Sequence, residues 1–204
     1  MRDFSEGKGG GRAGGYRRTM RGIVRALWAG VFDFGQSYEL MLDTVRLGLT
    51  NAWYAGAASV GITPTELSVG ERRSIEDVIH SEQSHIEGFL DAVQAGSKAN
   101  GGKLRPQLQR VEMWANRYND VMNRARTEAA SDPKLQWTLG PTKTHCSSCY
   151  RLAGKTKRAK TWHEQGILPQ NPVNEKLECK GFNCLCALLP TDEPLSKGPL
   201  PNLP

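Results

Sequence analysis

The residues of this sequence with the clearest chemistry are its five cysteines, which all lie in the last third of the chain. They form two groups on either side of a 29-residue segment, Cys146-x2-Cys149 and then Cys179-x4-Cys184-x-Cys186. Thiolates from two short turns are the ligands that a tetrahedral zinc ion needs, because each turn supplies neighbouring sulfurs and the intervening segment closes around the ion. The spacing therefore predicts a structural zinc site.

Five cysteines are available for the four positions of a tetrahedral site. Cys179 is the competing fourth ligand, and His145 and His163 are weaker candidates. The preferred ligand set consists of the first two and the last two cysteines: Cys146, Cys149, Cys184 and Cys186.

Three other uses of the cysteines are open at this point. Disulfides would leave one thiol over, and the N-terminus shows no apolar segment of an export signal. A redox pair at Cys146 and Cys149 would need a thioredoxin-like βαβ context, of which the sequence shows no sign. A catalytic zinc would need an open position and a general base, for which His163 and Glu164 are candidates. Structural metal is the favoured hypothesis, and we predict no catalytic residues.

The surroundings of the cysteines also favour a metal. The segment that contains the cysteines has few aliphatic residues, so it would need stabilisation from another source. A structural zinc ion contributes on the order of 10 kcal/mol of apparent binding energy. Basic side chains next to the thiols are expected to lower the thiol pKa values, which favours the thiolate form that metals bind. These side chains are Lys143, Arg151, Lys155 and Lys180.

The elements that precede the cysteines are predicted to be helices. Apolar residues recur at three- and four-residue steps in three long segments. Ser68 and Glu71 form a predicted capping box at the start of the second segment, and Pro133 stops the third. Such helices bury their apolar stripes most easily against one another, as an antiparallel bundle. The predicted helices span residues 36–60, 68–95 and 104–130.

We predict an α+β fold with four segments. Residues 1–16 form a flexible, glycine-rich basic arm, and residues 17–133 form a mainly α-helical region with about three long helices. Residues 134–190 form a small, cysteine-rich, metal-stabilised α+β module. Residues 191–204 form a proline-rich tail, which is expected to be extended and either slack or laid along a partner.

The formal net charge of +6 is distributed unevenly. Residues 1–25 and 134–204 carry a surplus of basic side chains, whereas residues 26–133 carry a surplus of acidic ones. Basic ends suggest an anionic partner, such as DNA or an acidic protein surface, and the alternative is that the charge serves only solubility. The mean hydropathy of −0.51 and the lack of a long apolar run predict no membrane-spanning helix. The arginines expected to meet a partner are Arg12, Arg17, Arg18, Arg21 and Arg25.

A longer pattern surrounds the cysteines. It consists of Trp137-x2-Gly140, His145-Cys146-x2-Cys149, Leu152-x-Gly154, Trp162, Gly166-Ile167-x-Pro169, Cys179-x-Gly181 and Asn183-Cys184-x-Cys186. This pattern resembles the C-terminal region of phage minor head proteins, the head morphogenesis family similar to the F protein of phage Mu. The family pattern has a Cys-x2-Cys followed by Leu-x-Gly and closes on Asn-Cys-x-Cys, and both ends stand in register in this chain.

The resemblance covers about residues 20–190 and is looser before Trp137. In that earlier part, Gly48-Leu49-Thr50-x2-Trp53 and Trp114-x2-Arg117-Tyr118 resemble the helical region of the family. Three features depart from the family pattern. Thr142-Lys143-Thr144-His145 stands where many members have an acidic residue and an arginine, Gly181-Phe182 replaces His-Pro, and Cys179 is an addition relative to shorter members.

The resemblance implies a structural protein of the virion rather than an enzyme. Family members are present in few copies, associate with the portal vertex, and act in head assembly or DNA delivery. The expected partners are the portal protein, the major capsid protein, or both, with packaged DNA reached through the basic arm. The expected location is the capsid, after assembly in the cytoplasm of the bacterial host.

Two further hypotheses belong to other functional classes. In the first, the chain is a zinc-dependent nucleic-acid-binding module whose basic arm and residues 155–160 contact phosphates. In the second, it is a nuclease with a catalytic metal near His145 and His163.

Overall fold

The structure of the chain is a computed structural model, which describes residues 10–129, 131–182 and 184–203. Long helices precede a small antiparallel sheet that is interleaved with two short helices, which confirms the predicted α+β class. No helix in this described part of the chain combines the length and the apolarity that crossing a bilayer requires. The elements are α1 (Gly10–Ala29), α2 (Phe34–Ala58), α3 (Val69–Gln83), α4 (Ile86–Ala95), α5 (Leu104–Glu128), β1 (Lys134–Thr138), α6 (Ser147–Leu152), β2 (Thr156–Arg158), α7 (Ala159–Glu164) and β3 (Ala187–Pro190).

The second predicted helix, over residues 68–95, is two helices. At the break between α3 and α4, the Ser84 hydroxyl donates to the carbonyl of Ser81 over 2.7 Å. The His85 N–H bonds the carbonyl of Glu82, three residues back, over 3.2 Å. A serine hydroxyl that donates to the carbonyl of a preceding residue competes with the backbone hydrogen bonds of the helix. Apolar periodicity does not reveal the break because buried residues continue on both sides of it.

The start of α3 follows the predicted capping box. The Ser68 N–H donates to the Glu71 carboxylate over 2.9 Å, and the Glu71 N–H donates back to the Ser68 hydroxyl over 3.2 Å. Two backbone donors that lack helical partners are thereby satisfied reciprocally.

The chain divides into two compact units. One comprises the described residues up to Asn51 together with Ile75–Tyr118, and the other comprises Ala52–Ser74 together with the described residues from Asn119 on. The boundary predicted at Pro133 differs from this division, because α2, α3 and α5 each contribute residues to both units. Packing between segments distant in sequence sets the division, and local composition does not report it.

The first unit fixes the N-terminal helix by burying an aromatic ring. Tyr16 is 6% exposed, and its ring lies against Gly48 of α2 and 5.8 Å from the ring of Tyr118. Residues 10–16, predicted as part of the flexible arm, are therefore helical, because the buried ring offsets the entropy lost on ordering this glycine-rich segment. Residues 1–9 of the predicted arm lie outside the described residues.

A buried carboxylate joins two helices in the same unit. Glu82 of α3 accepts a hydrogen bond from the Trp114 indole over 2.9 Å and one from the Arg117 guanidinium over 2.6 Å. A buried charge is tolerated only when it is paired and hydrogen-bonded, and this pair meets both conditions.

The sheet of the second unit has the order β2-β1-β3, with all neighbours antiparallel. Leu135 lies opposite Lys157 of β2, and Trp137 lies opposite Leu188 of β3. Alternate residues of β1 are buried, so that Leu135 and Trp137 face the core of this unit. The core also holds Trp162, whose ring lies 5.8 Å from that of Trp137.

Two buried polar side chains of α5 hold β3 in register. The Asn123 side-chain oxygen accepts from the Leu188 N–H over 3.1 Å, and Arg126 donates to the Leu188 carbonyl over 3.0 Å and to the Ser59 hydroxyl over 2.8 Å. Burial lowers the pKa of Arg126. Because β3 follows the last cysteine directly, these contacts also fix the strand on which the second cysteine group depends.

The proline-rich tail lies along its own unit, so the alternative that it is slack was wrong. The Ser196 N–H donates to the Thr156 carbonyl over 2.9 Å, and the Thr156 N–H donates to the Ser196 hydroxyl over 3.0 Å. Leu200 is 7% exposed and belongs to the core, against which Leu203 also packs. The described tail has no regular secondary structure, and two of its leucines bury surface that composition alone does not assign to a core.

The contact between Gly48 and Tyr16 generates a first prediction. A Cβ at residue 48 would overlap the Tyr16 ring, so Gly48→Ala is expected to lower the free energy of unfolding by about 1–3 kcal/mol despite its better helix propensity. Urea denaturation measures this change. Gly22→Ala is the matched control in α1, because a Cβ there meets no atom within 4 Å. An equal response of the two variants would contradict the prediction.

Candidate metal centre

The first two cysteines are positioned by helix α6. Cys146 is the N-cap residue, with extended backbone angles, and its sulfur accepts the Cys149 N–H over 3.5 Å. Residues three apart at a helix start lie on the same side of the first turn, so the two sulfurs point to one place. The Cys-x2-Cys spacing therefore acts as a capped turn that presents two thiols together.

A clasp between segments brings the third cysteine to this turn. The Glu178 carboxylate accepts from the N–H and the hydroxyl of Ser147, each over 2.7 Å, and the Glu178 N–H donates to the Ser148 hydroxyl over 3.0 Å. These bonds place Cys179, the next residue, within reach of the first two thiols. Sequence reasoning missed Glu178, because a capping partner 31 residues away leaves no local signal.

The last two cysteines are positioned by the end of β1 and the start of β3. A Cβ at Gly140, just after β1, would overlap the carbonyl of Leu185, the residue between Cys184 and Cys186. Only glycine allows this close approach of two backbones. Pairing of β1 with β3 then fixes Cys186 at the edge of the sheet, where both cysteines are buried.

The five thiols form one cluster centred on Cys149. The sulfurs of Cys146, Cys149 and Cys179 lie within 4.8 Å of one another, and so do those of Cys149, Cys184 and Cys186. The Cys149 and Cys184 sulfurs are 3.9 Å apart, and no cysteine is in a disulfide. Zinc–sulfur bonds of about 2.3 Å give a tetrahedron with sulfur–sulfur edges of about 3.8 Å. The donor set therefore fits a thiolate-bound metal, and the cluster could hold a metal ion.

The two histidines named as weaker ligands have different surroundings. His145 lies beside the cluster, with its Nδ1 atom 3.7 Å from the Cys186 sulfur and 3.2 Å from the Thr142 hydroxyl. The centroids of the His145 and Tyr150 rings are 5.5 Å apart, and the two rings are nearly perpendicular. His163 is exposed on α7 and belongs to neither group of thiols among the described residues.

Hydrogen bonds within the cluster separate the pKa values of its thiols. Bonds from Cys149 and Cys184 lower the pKa of Cys186 to about 3, and a bond from Cys149 lowers the pKa of Cys184. The pKa of Cys149 is raised, chiefly by its bonds to Cys179 and Cys184. Cys184 and Cys186 are thus biased towards the thiolate form that metals bind.

We expected basic neighbours to lower the thiol pKa values, but the lowered pKa values have a different cause. Hydrogen bonds from other thiols produce the shifts of Cys184 and Cys186. At least two of the basic side chains are committed elsewhere, since Arg151 donates to the carbonyl of Asn202 over 2.9 Å and Lys180 lies 3.3 Å from the carboxylate of Glu175.

The other residues of the sequence pattern form the frame of the centre. Trp137, Trp162 and Leu152 are fully buried, and the Trp162 indole donates to the carbonyl of Leu135 over 3.1 Å. Asn183, just before the last pair of cysteines, lies outside the described residues. Three pattern glycines have positive φ angles: Gly154, Gly166 and Gly181.

The arginines expected to meet a partner belong to α1, in the first unit. Arg17 and Arg21 both contact the carboxylate of Glu112, at 3.1 and 2.5 Å. Their charge is therefore partly neutralised within the unit, and binding of an anionic partner stays a prediction. Of the other three, two are exposed and one has a side chain outside the described residues: Arg18, Arg25 and Arg12.

No family model, curated protein or solved structure matches this chain. What the centre can do is therefore inferred from its own residues. Its five thiols could hold a metal ion, and they are gathered by contacts that the rest of the module maintains.

The clasp at Glu178 generates a second prediction, on pH dependence. Hydrogen bonds from the Ser147 hydroxyl and N–H lower the pKa of Glu178 below its ordinary value of 4.5. The clasp therefore stabilises the fold fully above the unfolded pKa, and this contribution is lost as the pH falls through the lower folded pKa. Glu178→Gln is expected to reduce the free energy of unfolding at neutral pH, by a difference that shrinks below about pH 4.5. Urea denaturation over a pH series measures this difference.

The control for this measurement is Glu175→Gln, which removes a nearby exposed carboxylate that pairs with Lys180. Exposed pairs contribute little, so this variant is expected to stay within about 0.5 kcal/mol of the wild type at every pH. Identical pH profiles for the two variants would show that Glu178 has no special role.

Proposed function

We propose that the chain is a structural and assembly protein of a tailed-phage head, with a C-terminal module held by one structural zinc ion. In this role it is a minor capsid protein associated with the portal vertex, and it acts in head morphogenesis or DNA delivery. Its partners are the portal protein, the major capsid protein, or both. Its location is the capsid, assembled in the cytoplasm of the bacterial host.

The observation that carries the proposal is that the cluster and its frame use the residues of the head-protein pattern. The Cys-x2-Cys and Cys-x-Cys ends meet at Cys149, the pattern tryptophans fill the core, and Gly140 admits the turn between Cys184 and Cys186. If the sequence matched the family pattern by chance, its residues would not be expected to supply the clustered thiols, the core and the close backbone contact of the same module.

Zinc is the proposed ion because of its ligand preference. Four thiolates satisfy zinc in tetrahedral geometry without redox chemistry, and the bound ion would supply cross-linking of the two cysteine groups. In the proposed site, four of the five thiols would fill every position of such an ion and would leave none open for a substrate. A structural role, without catalysis, follows from this ligand count.

The ligand set proposed first is Cys146, Cys149, Cys184 and Cys186, with Cys179 as the alternative to Cys146. Cys149 belongs to both groups of thiols, and it is therefore a ligand in either arrangement. His145 lies next to Cys186 and would orient that sulfur through a hydrogen bond.

Zinc content is the third prediction. The reduced protein is expected to hold one zinc ion per chain, and Cys149→Ser and Cys186→Ser are expected to weaken binding by at least about 100-fold. Cys179→Ser is expected to keep the metal, whereas Cys146→Ser is expected to lose it. Elemental analysis and competition with a chromophoric chelator measure both quantities. His163→Ala is the control and is expected to leave zinc content unchanged, since this residue is outside the cluster.

Removal of the metal should also loosen the module. A chelator is expected to make residues 134–190 sensitive to protease, because the cross-link between the two cysteine groups is lost. Equal protease resistance of metal-free and metal-bound protein would contradict a structural role for the ion.

Composition of purified particles is the fourth prediction and tests the head-protein proposal directly. Quantitative mass spectrometry of virions and proheads is expected to find the chain in few copies relative to the major capsid protein. Particles made with Cys149→Ser are expected to lose it, while those made with Cys179→Ser retain it. Absence of the wild-type chain from both virions and proheads would overturn the proposal.

A further inference from the structure

The tail of this chain is bound mainly through its carbonyl groups. Lys134 donates to the carbonyls of Asp192 and Glu193 over 2.7 and 3.0 Å. Lys157 donates to the carbonyls of Ser196 and Gly198. Further along, Arg151 donates to the carbonyl of Asn202 over 2.9 Å. Cationic side chains on β1, β2 and α6 thus line a groove, which we call the tail groove, that recognises the main chain of an extended segment.

This mode of binding suits a proline-rich segment. Proline has no N–H, so a segment rich in proline offers few donors to a strand ladder, whereas charged donors on side chains can bind the carbonyls of the residues between the prolines, as they do here. An extended proline-rich segment also loses little conformational entropy on binding. The tail groove adds two specific contacts to these: the double hydrogen bond between Ser196 and Thr156, and the burial of Leu200.

The connection between the groove and the rest of the chain is short and exposed. Glu193 is held by Lys134, and Ser196 is held by Thr156, so only Pro194 and Leu195 link the two anchored points. Both linking residues are exposed, and Leu195 is 46% exposed. A tail that detaches at this link exposes the groove without disturbing β3.

We propose that the tail groove is a docking site for an extended proline-rich segment that is anchored by a leucine. The segment that binds there from another molecule is the tail of a second copy of this chain. Each tail would leave its own groove at Pro194 and Leu195 and fill that of its neighbour. The second copy is the occupant that the contacts identify, because its tail carries the same carbonyls, the same Ser196 and the same Leu200 in the register that the groove already binds. Reciprocal exchange remakes these contacts and closes as a two-fold pair.

The fifth prediction tests the groove with a labelled synthetic peptide of residues 191–204 and full-length protein. Leu200→Asp places a charge in the core and is expected to release the attached tail, so that the variant binds the added peptide in a fluorescence polarisation titration. The wild type, whose own tail competes at a high effective concentration, is expected to bind at least about 10-fold more weakly. Leu195→Asp makes the same charge change at an exposed position and is expected to behave like the wild type.

A second peptide checks the anchor. The peptide with Leu200→Ala is expected to bind the Leu200→Asp protein at least about 10-fold more weakly, as burial of one leucine side chain implies. Failure of a folded Leu200→Asp protein, as judged by circular dichroism, to bind the wild-type peptide would overturn the proposed groove.

The identity of the occupant is tested by deleting Pro194 and Leu195 from the full-length chain. The shortened link cannot span both anchored points within one molecule, since adjacent Cα atoms are only about 3.8 Å apart. Light scattering is expected to show a dimer, which Leu200→Asp in the same chain converts to a monomer. A monomer for the deletion variant would overturn the second copy as occupant, and this result also decides the matter if Leu200→Asp alone does not fold.

Discussion

The meeting of two distant cysteine groups at Cys149 is the constraint on which the C-terminal module depends. Closing the chain between them costs entropy, which the contacts around the cluster must offset. The module therefore secures each side of the cluster separately: a helix cap holds Cys146, the Glu178 clasp holds Cys179, and strand pairing holds Cys186. A metal bound at the centre would join three elements that are already positioned, which is how a small site can stabilise a whole module.

Much of this centre could be predicted from the sequence because its thiols and its frame are encoded by local patterns. The Cys-x2-Cys spacing implies a turn with converging sulfurs, and the tryptophans and glycines around it indicate a core and tight turns. The centre of the cluster could not be predicted. Cys149 is shared by both groups only because Glu178 and Gly140 bring segments from two directions, and such contacts leave no periodicity or motif in the sequence.

The helical region shows the same division between local and distant causes. Apolar periodicity predicts the buried stripes, and the capping box at Ser68 stands where the sequence places it. The errors concern interactions across the chain or within single turns. Tyr16 orders a segment whose glycine content indicates flexibility, and a serine hydroxyl divides a helix whose buried stripe continues through the break. Composition reports what a segment would do alone, whereas a single buried ring or hydroxyl can reverse that tendency.

The basic surplus at the two ends of the chain acquires a different meaning from these contacts. In the first unit, Glu112 forms ion pairs with two of the arginines of α1. In the second unit, carbonyls of the tail accept hydrogen bonds from Lys134, Arg151 and Lys157. Those cations therefore help to fix α1 and the tail, and the two arginines paired with Glu112 attract an anionic partner less strongly than unpaired arginines would. In the proposed role of a head protein, a tail secured by exchangeable polar contacts would have a physical advantage. In the proposed exchange, a neighbouring copy that offers the same carbonyls would replace these contacts without exposing a large apolar surface.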